Sequence, residues 1–299
     1  MSSSIKIFFP LFTITVIIVY IVTNVPFNSN NQLFVTDLEQ LNKKRDPLLN
    51  DWLTKDNNLE QIDVDAVKNK WEGTDLSASE WGEQVTGVKN KLDTDNQVIA
   101  LTFDACGGTF GSGYDEALIE FLRNEQVPAT LFVNYRWVEE NKDIFLELHK
   151  DELFTIENHG TAHLPLSVHG RGAWGITGTT SAKEVIDEVM INQERIIELT
   201  GEAPRFFRSG TAFYDEVAVE IVEDLGLKVV NYDILGDAGA TYSISQVANA
   251  LLQSEPGSIP LLHMNQPSSG TAQGVKKAIP LLRERGFEFV HVKDYDLMD

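Results

Sequence analysis

Residues 98–108, Val-Ile-Ala-Leu-Thr-Phe-Asp-Ala-Cys-Gly-Gly, decide how the chain is read. Apolar alternation stops abruptly at a carboxylate, Asp104, and a flexible glycine turn follows. The same unit then recurs along the chain. Short apolar runs at 129–133, 154–157, 205–207, 228–231, 259–262 and 287–290 alternate with stretches at 115–124, 137–148, 182–199, 216–225, 245–252 and 274–285, whose apolar residues fall three and four apart. The first set reads as strands and the second as helices covering a sheet. Seven strands, each but the last followed by a helix, predict an α/β fold built of βα units around a parallel sheet or barrel. Such a fold places its chemistry in the loops after the strands, so polar residues just past a strand's end are the candidates.

Upstream of this domain the chain changes character. Residues 7–25 carry no charge and are long enough to cross roughly 30 Å of hydrocarbon as a helix, so a membrane span is expected there. The rival, a cleaved secretory signal, is disfavoured because residues 23–27 lack the small-x-small pattern of a cleavage site. Lys6 on one side and Lys43, Lys44 and Arg45 on the other leave the orientation open on charge alone. Residues 1–27 therefore read as a signal-anchor or signal peptide, 28–95 as a partly helical stalk, and 96–299 as the folded domain. The net charge of −21 argues against nucleic acid as a partner, since polyanion binding needs clustered Lys and Arg. The single cysteine, Cys106, excludes an internal disulfide and any multi-cysteine zinc module.

Four strand ends carry groups suited to hydrolysis. Asp104 closes the first strand; alone, it fits a turn cap better than it fits catalysis. The third strand runs into His159 and His163, and a helical turn would put both imidazoles on one face, as a divalent ion requires. Arg208 follows the fourth strand and His263 the sixth; an arginine keeps a carboxylate ionised and oriented, and a histidine across the cleft can give a proton to a leaving amine. His149 and His291 read as surface or packing residues, and His169 as a rim residue. Trp137, Trp174 and Tyr214 are candidates to stack on sugar rings, although such residues in a barrel more often serve packing.

The ordered set Thr102-Phe103-Asp104, His159-x-x-x-His163, Arg208 with the following glycine loop, and Leu261-Leu262-His263 resembles the polysaccharide deacetylase family, also called the NodB-homology or carbohydrate esterase 4 family. The resemblance spans roughly residues 98–290. It implies a distorted (β/α)7 barrel, an extracytoplasmic location, which the span expected at residues 7–25 would put at the cell membrane, and a divalent metal, commonly zinc, held by two histidines and an aspartate. It also implies an N-acetylated polysaccharide as substrate, with acetate released by amide hydrolysis. By matching position, Asp104 is the base, His159 and His163 are metal ligands, Arg208 orients the base and His263 is the acid. Asp237, chosen over Asp233, is expected to tune His263. The family usually has a second aspartate directly after the first as the third ligand, and this chain has Ala105. Asp104 itself, a water or Cys106 remain as candidates for that place, with water or Asp104 preferred. Two other functions stay open: a non-catalytic glycan-binding module on the same fold, and a metal-dependent peptidoglycan amidase.

Overall fold

After a short strand, β1 (Lys91–Leu92), the run that opens the domain folds as two strands, β2 (Val98–Ile99) and β3 (Thr102–Ala105). The break falls at Ala100, whose amide donates to the Ser258 carbonyl at 3.0 Å. A computed structural model describes residues 63–74 and 76–298. The expected span over 7–25 and the stalk as far as residue 62 lie outside the described residues. Among the described residues no helix is long and apolar enough to cross a membrane.

From β3 the sheet grows in both directions. One side adds β4 (Ala129–Val133), β5 (Phe154–Asn158), β6 (Phe206–Phe207) and β7 (Lys228–Val229); the other adds β9 (Pro260–His263) and β8 (Ile234–Leu235). All pairings in it are parallel. Laid flat, seven strands about 4.8 Å apart would hold their edges roughly 29 Å from one another. Yet β7 ends at Val229 and β8, on the opposite edge, begins at Ile234. Five residue steps span at most roughly 18 Å, so the sheet must curl. The result is a half-barrel whose open seam is filled by the chain before β2. The Lys89 amide donates to the Val229 carbonyl (2.9 Å), the Asn231 amide to the Lys89 carbonyl (2.7 Å) and the Leu92 amide to the Gly257 carbonyl (2.9 Å).

Two sequence expectations change here. The predicted strand at 287–290 forms β10 (Glu288–Phe289), which pairs in parallel with β2 outside the seven-stranded sheet. The seventh strand of that sheet is Ile234–Leu235, which the sequence pattern did not mark. In addition, residues 63–95, read as the end of a stalk, pack on the domain. Val67 and Trp71 of helix α1 (Val64–Trp71) are buried in one cluster with Val185, Val189 and Val222, and Trp71 Nε1 donates to Asp224 at 2.7 Å.

The covering helices follow their expected positions: α2 (Glu116–Asn124), α3 (Tyr135–Glu140), α4 (Lys142–His149), α5 (Ala182–Thr200), α6 (Glu216–Asp224), α7 (Ile244–Leu251) and α8 (Thr271–Glu284). The stretch 137–148 divides at Asn141, whose side chain donates to the Ser112 and Trp137 carbonyls. Several of these helices start on a capping side chain: Asp115, Ser181, Asp215 and Ser243 accept amides of their first turns. Each such cap is worth about 1 kcal/mol against alanine. Inside the curl, Ala100, Phe132, Phe206, Val230 and Ile259 form an apolar floor beneath the carboxyl ends of the strands.

Candidate active site

β3 and β9 are neighbours, and their register pairs Asp104 with His263. Paired residues on adjacent parallel strands project to the same face, so backbone geometry alone sets the carboxylate beside the imidazole. Each then has its own partner. Arg208, one residue past β6, is fully buried and reaches across the curl. Its Nη1 donates to Asp104 Oδ1 (2.8 Å) and Thr102 Oγ1 (2.9 Å), Nε to the Val230 carbonyl (3.1 Å) and Nη2 to the Asn231 carbonyl (2.6 Å). The guanidinium lies 4.2 Å from the Phe132 ring centroid. Asp104 is thereby held by one oxygen, leaving Oδ2 at 3.6 Å from His159 Nε2.

His263 is tied from the other side. Its Nδ1 lies 2.8 Å from Asp237 Oδ1, and its amide donates to Asp237 Oδ2 at 2.7 Å. Thr271 Oγ1 and the Ala240 amide also donate to Asp237, at 2.8 and 3.2 Å. Burial opposes charge on His263, but the Asp237 carboxylate outweighs it and raises the pKa well above the ordinary histidine value. Burial likewise opposes ionisation of Asp237, and His263 reverses that, holding the carboxyl below its usual range. The competitor, Asp233, accepts from Ser258 Oγ (2.6 Å) and the Ile259 amide (2.7 Å), anchoring the start of β9.

His159 and His163 converge, but not through a helical turn. Residues 159–163 form an irregular loop in which Gly160 (φ 75°) and His163 (φ 64°) adopt the left-handed region. Outside groups stabilise this path. Asn134 donates to the carbonyls of His159 and Gly160 (both 2.9 Å), and Glu188 on α5 accepts from the amides of Thr161 (3.1 Å), Ala162 (2.8 Å) and Leu164 (3.1 Å). Burial pushes the Glu188 carboxyl up to about 7. Gly210 completes the cradle: a Cβ there would lie 2.4 Å from His163 Cα. The two rings end edge to face, 5.0 Å apart.

His159 Nδ1 lies 3.0 Å from the Arg208 carbonyl, which fixes it as the donor and leaves Nε2 with a lone pair for a cation. His163 Nε2 is buried with no hydrogen-bond partner. The third group beside them is Cys106, with Sγ 3.8 Å from His159 Nε2. Among the described residues, the ligand atoms of Cys106, His159 and His163 form a set lying mutually within 4.8 Å. This donor set, two imidazoles and a thiol, fits a divalent cation. Burial would raise the Cys106 thiol; the charge of His163 and polar contacts from His159, His163 and His263 outweigh it and hold the pKa well below the usual value. Burial dominates at His163 and lowers its pKa, whereas at His159 the charges of Asp104 and Cys106 prevail over burial and raise it.

Of the aromatic candidates, Trp137 is fully buried with Nε1 donating to the Gly113 carbonyl, and Tyr214 is buried between the Ser209 amide and Asn231 Oδ1. Both serve packing. Trp174 is 75% exposed and meets Phe213 edge to face at 5.7 Å. His291 bonds the Leu153 carbonyl, and His149 ends α4. A groove lined by Arg123, Glu147, Asp151 and His291 opens at the amino ends of β4 and β5, away from Asp104, His159, His163 and His263, and Arg123 pairs there with both acids. The residues that sequence reasoning missed are Asn134 and Glu188; Gly210 was marked in the loop after Arg208, but not its close approach to His163. Glu188 did carry a signal: with Asn192 and Gln193 it interrupts the buried apolar stripe Val185, Val189 and Ile196 of α5.

The family model described as Polysaccharide deacetylase matches residues 91–230, which takes in Asp104, His159, His163 and Arg208 and stops short of Asp237 and His263. An uncharacterized 30.6 kDa protein of Geobacillus stearothermophilus is 25% identical over 228 residues, 73% of this chain and 78% of that protein. The fold is similar to that of a family 4 carbohydrate esterase from Bacillus anthracis (TM-score 0.57, 24% identity, 74% of this chain and 98% of the other). It is also similar to that of a wild-type CE4 family pseudoenzyme from Bacillus anthracis (TM-score 0.59, 20% identity, 74% and 70%). These structural likenesses speak to the fold.

Proposed function

We infer, from the premise that this domain belongs to the polysaccharide deacetylase family, that it hydrolyses the N-acetyl amide of N-acetylhexosamine residues in a cell-wall or extracellular polysaccharide. Family membership supports hydrolysis of a linear amide bond; the substrate and the metal dependence are our reading. The observation that carries it is the pairing of Asp104 with His263 across β3 and β9, each with its own buried partner, beside two imidazoles.

A divalent cation held by His159, His163 and Cys106 would polarise the amide carbonyl and acidify a water. The rest falls to the side chains. Asp104 Oδ2 takes the proton of the attacking water while Arg208 holds Oδ1 and orients the carboxylate. His263, charged through its bond to Asp237, presents its other nitrogen to the leaving amine and protonates it. Water and amide thus become acetate and a free amine. The oxyanion needs a donor, and in the loop after β6 the amides of Ala212 and Tyr214 are already engaged by the carbonyls of Ser209 and Gly82. That leaves Gly210, Thr211 and Phe213 as the amides to test. The domain would act outside the cytoplasm, tethered by the span expected at residues 7–25.

One observation favours a second reading. Ala105 stands where the family resemblance implies a ligand aspartate, and one similar structure is of a pseudoenzyme, so a glycan-binding module without turnover is the alternative. Intact Asp104–Arg208 and His263–Asp237 pairs argue for turnover, since a binding module has no use for a buried proton donor and acceptor. Acetate release from N-acetylated glycans decides. Asp104→Asn should lower the rate by about 10²–10⁴-fold with circular dichroism unchanged. A variant that deacetylates at the wild-type rate sinks the proposed role of Asp104, and a wild-type protein that binds glycan but releases no acetate establishes the module.

A further inference from the structure

We propose that Cys106 is a metal ligand, so that the centre is a Cys/His/His site with a thiolate in the place the family gives to an aspartate. The proposal rests on the metal-dependent reading above for the presence of a cation, and on the chain itself for the identity of the third donor.

Strand alternation supplies the first argument. Along β3 successive side chains turn to opposite faces, and Ala105 is buried in the core beneath the helices with Leu118, Leu131 and Val133. Position 105 is thus directed away from the imidazoles. Cys106 returns to the face of Asp104, and its path is fixed: Arg136 Nη2 donates to its carbonyl at 3.0 Å, and the next residue, Gly107, turns at φ 68° where a Cβ would meet the Trp137 amide nitrogen at 2.5 Å. A one-residue displacement of the ligand therefore keeps the donor on the correct side.

Distances supply the second. Bond lengths of about 2.3 Å to sulfur and 2.0–2.1 Å to nitrogen put S and N about 3.6 Å apart in a tetrahedron. The separation of Cys106 Sγ from His159 Nε2 is 3.8 Å. The third argument is the unpartnered His163 Nε2. A buried polar atom without a partner costs about 1–3 kcal/mol, and a cation between the two rings and the thiol removes that penalty. Asp104 is the weaker candidate, because Arg208 already holds one of its oxygens. A thiolate with two imidazoles is a soft donor set, which selects zinc or cobalt over magnesium, calcium or manganese and leaves one position open for water or substrate.

Because the chain contains one cysteine, a sulfur-to-metal signal has only one source. The test is to strip the full chain of metal, add one equivalent of cobalt(II), and record the near-ultraviolet and visible spectrum alongside metal content. The expected result is stoichiometric cobalt with a thiolate-to-cobalt charge-transfer band. That band should vanish in Cys106→Asp while the visible cobalt bands remain. Zinc should slow alkylation of Cys106 by iodoacetamide at least tenfold in the wild type, and Cys106→Ala should weaken zinc binding by more than about 100-fold. Stoichiometric cobalt without the charge-transfer band overturns the thiolate ligand and leaves the metal hydrolase standing. Failure to bind either metal overturns that reading and the ligand with it. An acetyl adduct on Cys106 in acid-quenched turnover would identify a nucleophile and likewise end the proposal.

Discussion

Replacing Arg208 by methionine tests the arrangement where it is most concentrated. The guanidinium has no exposed surface and makes four hydrogen bonds, to Asp104, Thr102, Val230 and Asn231. Methionine fills much of the volume along Phe132 but satisfies none of these acceptors. Breaking a buried ion pair from one side costs about 3–5 kcal/mol, because the remaining charge stays buried without a partner. Against a total stability of about 5–15 kcal/mol, that is a large fraction. Urea denaturation of Arg208→Met should therefore show a lowered midpoint at an unchanged slope. Most of the loss is assigned to the stranded Asp104 carboxylate, so the double variant Asp104→Asn/Arg208→Met should recover about 1.5–3 kcal/mol relative to the sum of the single changes. A loss below about 1 kcal/mol for Arg208→Met, or additivity within about 0.5 kcal/mol, would refute the claim that this arginine neutralises and places the carboxylate.

Stability should also depend on pH through Glu157. Burial pushes its carboxyl up to about 8, although the amides of Arg205 and Phe206 donate to it. The folded state thus binds the proton more tightly than the unfolded chain, and the associated stability is fully present below about pH 4.5 and lost as the pH rises towards 8. Urea midpoints should fall between pH 5 and pH 8 by an amount equivalent to about 2–5 kcal/mol, less steeply in Glu157→Gln; equal slopes would remove Glu157 as the cause. Gly210→Ala drives a methyl into the backbone and ring of His163, so it should lower stability by about 1–3 kcal/mol and weaken zinc binding at least tenfold. Unchanged zinc affinity in a competition titration would show that Gly210 does not set the position of His163.

How much of this the sequence discloses depends on the length scale of each signal. The strand ends at Asp104, His159, Arg208 and His263 are legible because an apolar run that ends in a polar group is a local pattern, as is the helical spacing of 182–199. β8 is not: two residues, Ile234 and Leu235, between Asp233 and Gly236 carry no periodicity, and only the crossing from one sheet edge to the other gives them a partner. The cradle of His163 was hidden for a related reason. Asn134 and Glu188 lie far from the histidines in sequence, and their polar groups bond backbone atoms, which leave no trace in residue type. Cys106 was within reach: alternation from Asp104 puts position 106 on its face and position 105 on the other, an inference that needs only the assumption of a strand.

Curvature is the quantity that no local pattern supplies, and the site depends on it. Three strand spacings separate β6 from β3, roughly 14 Å along a flat sheet, yet Arg208 Nη1 lies 2.8 Å from Asp104 Oδ1. The arginine follows a chord through the interior that exists only because the edges β7 and β8 are joined by four residues and drawn together. Lengthening that link relaxes the constraint at its source. Inserting four glycines between Tyr232 and Asp233 adds roughly 13 Å of reach, enough for the edges to part. If curvature is imposed by the link, the insertion should abolish acetate release and weaken zinc binding. If the hydrogen bonds of Lys89 to one edge and of Leu92 to the other suffice to hold the seam, both should survive, and the short connection is then a consequence of the curl and not its cause.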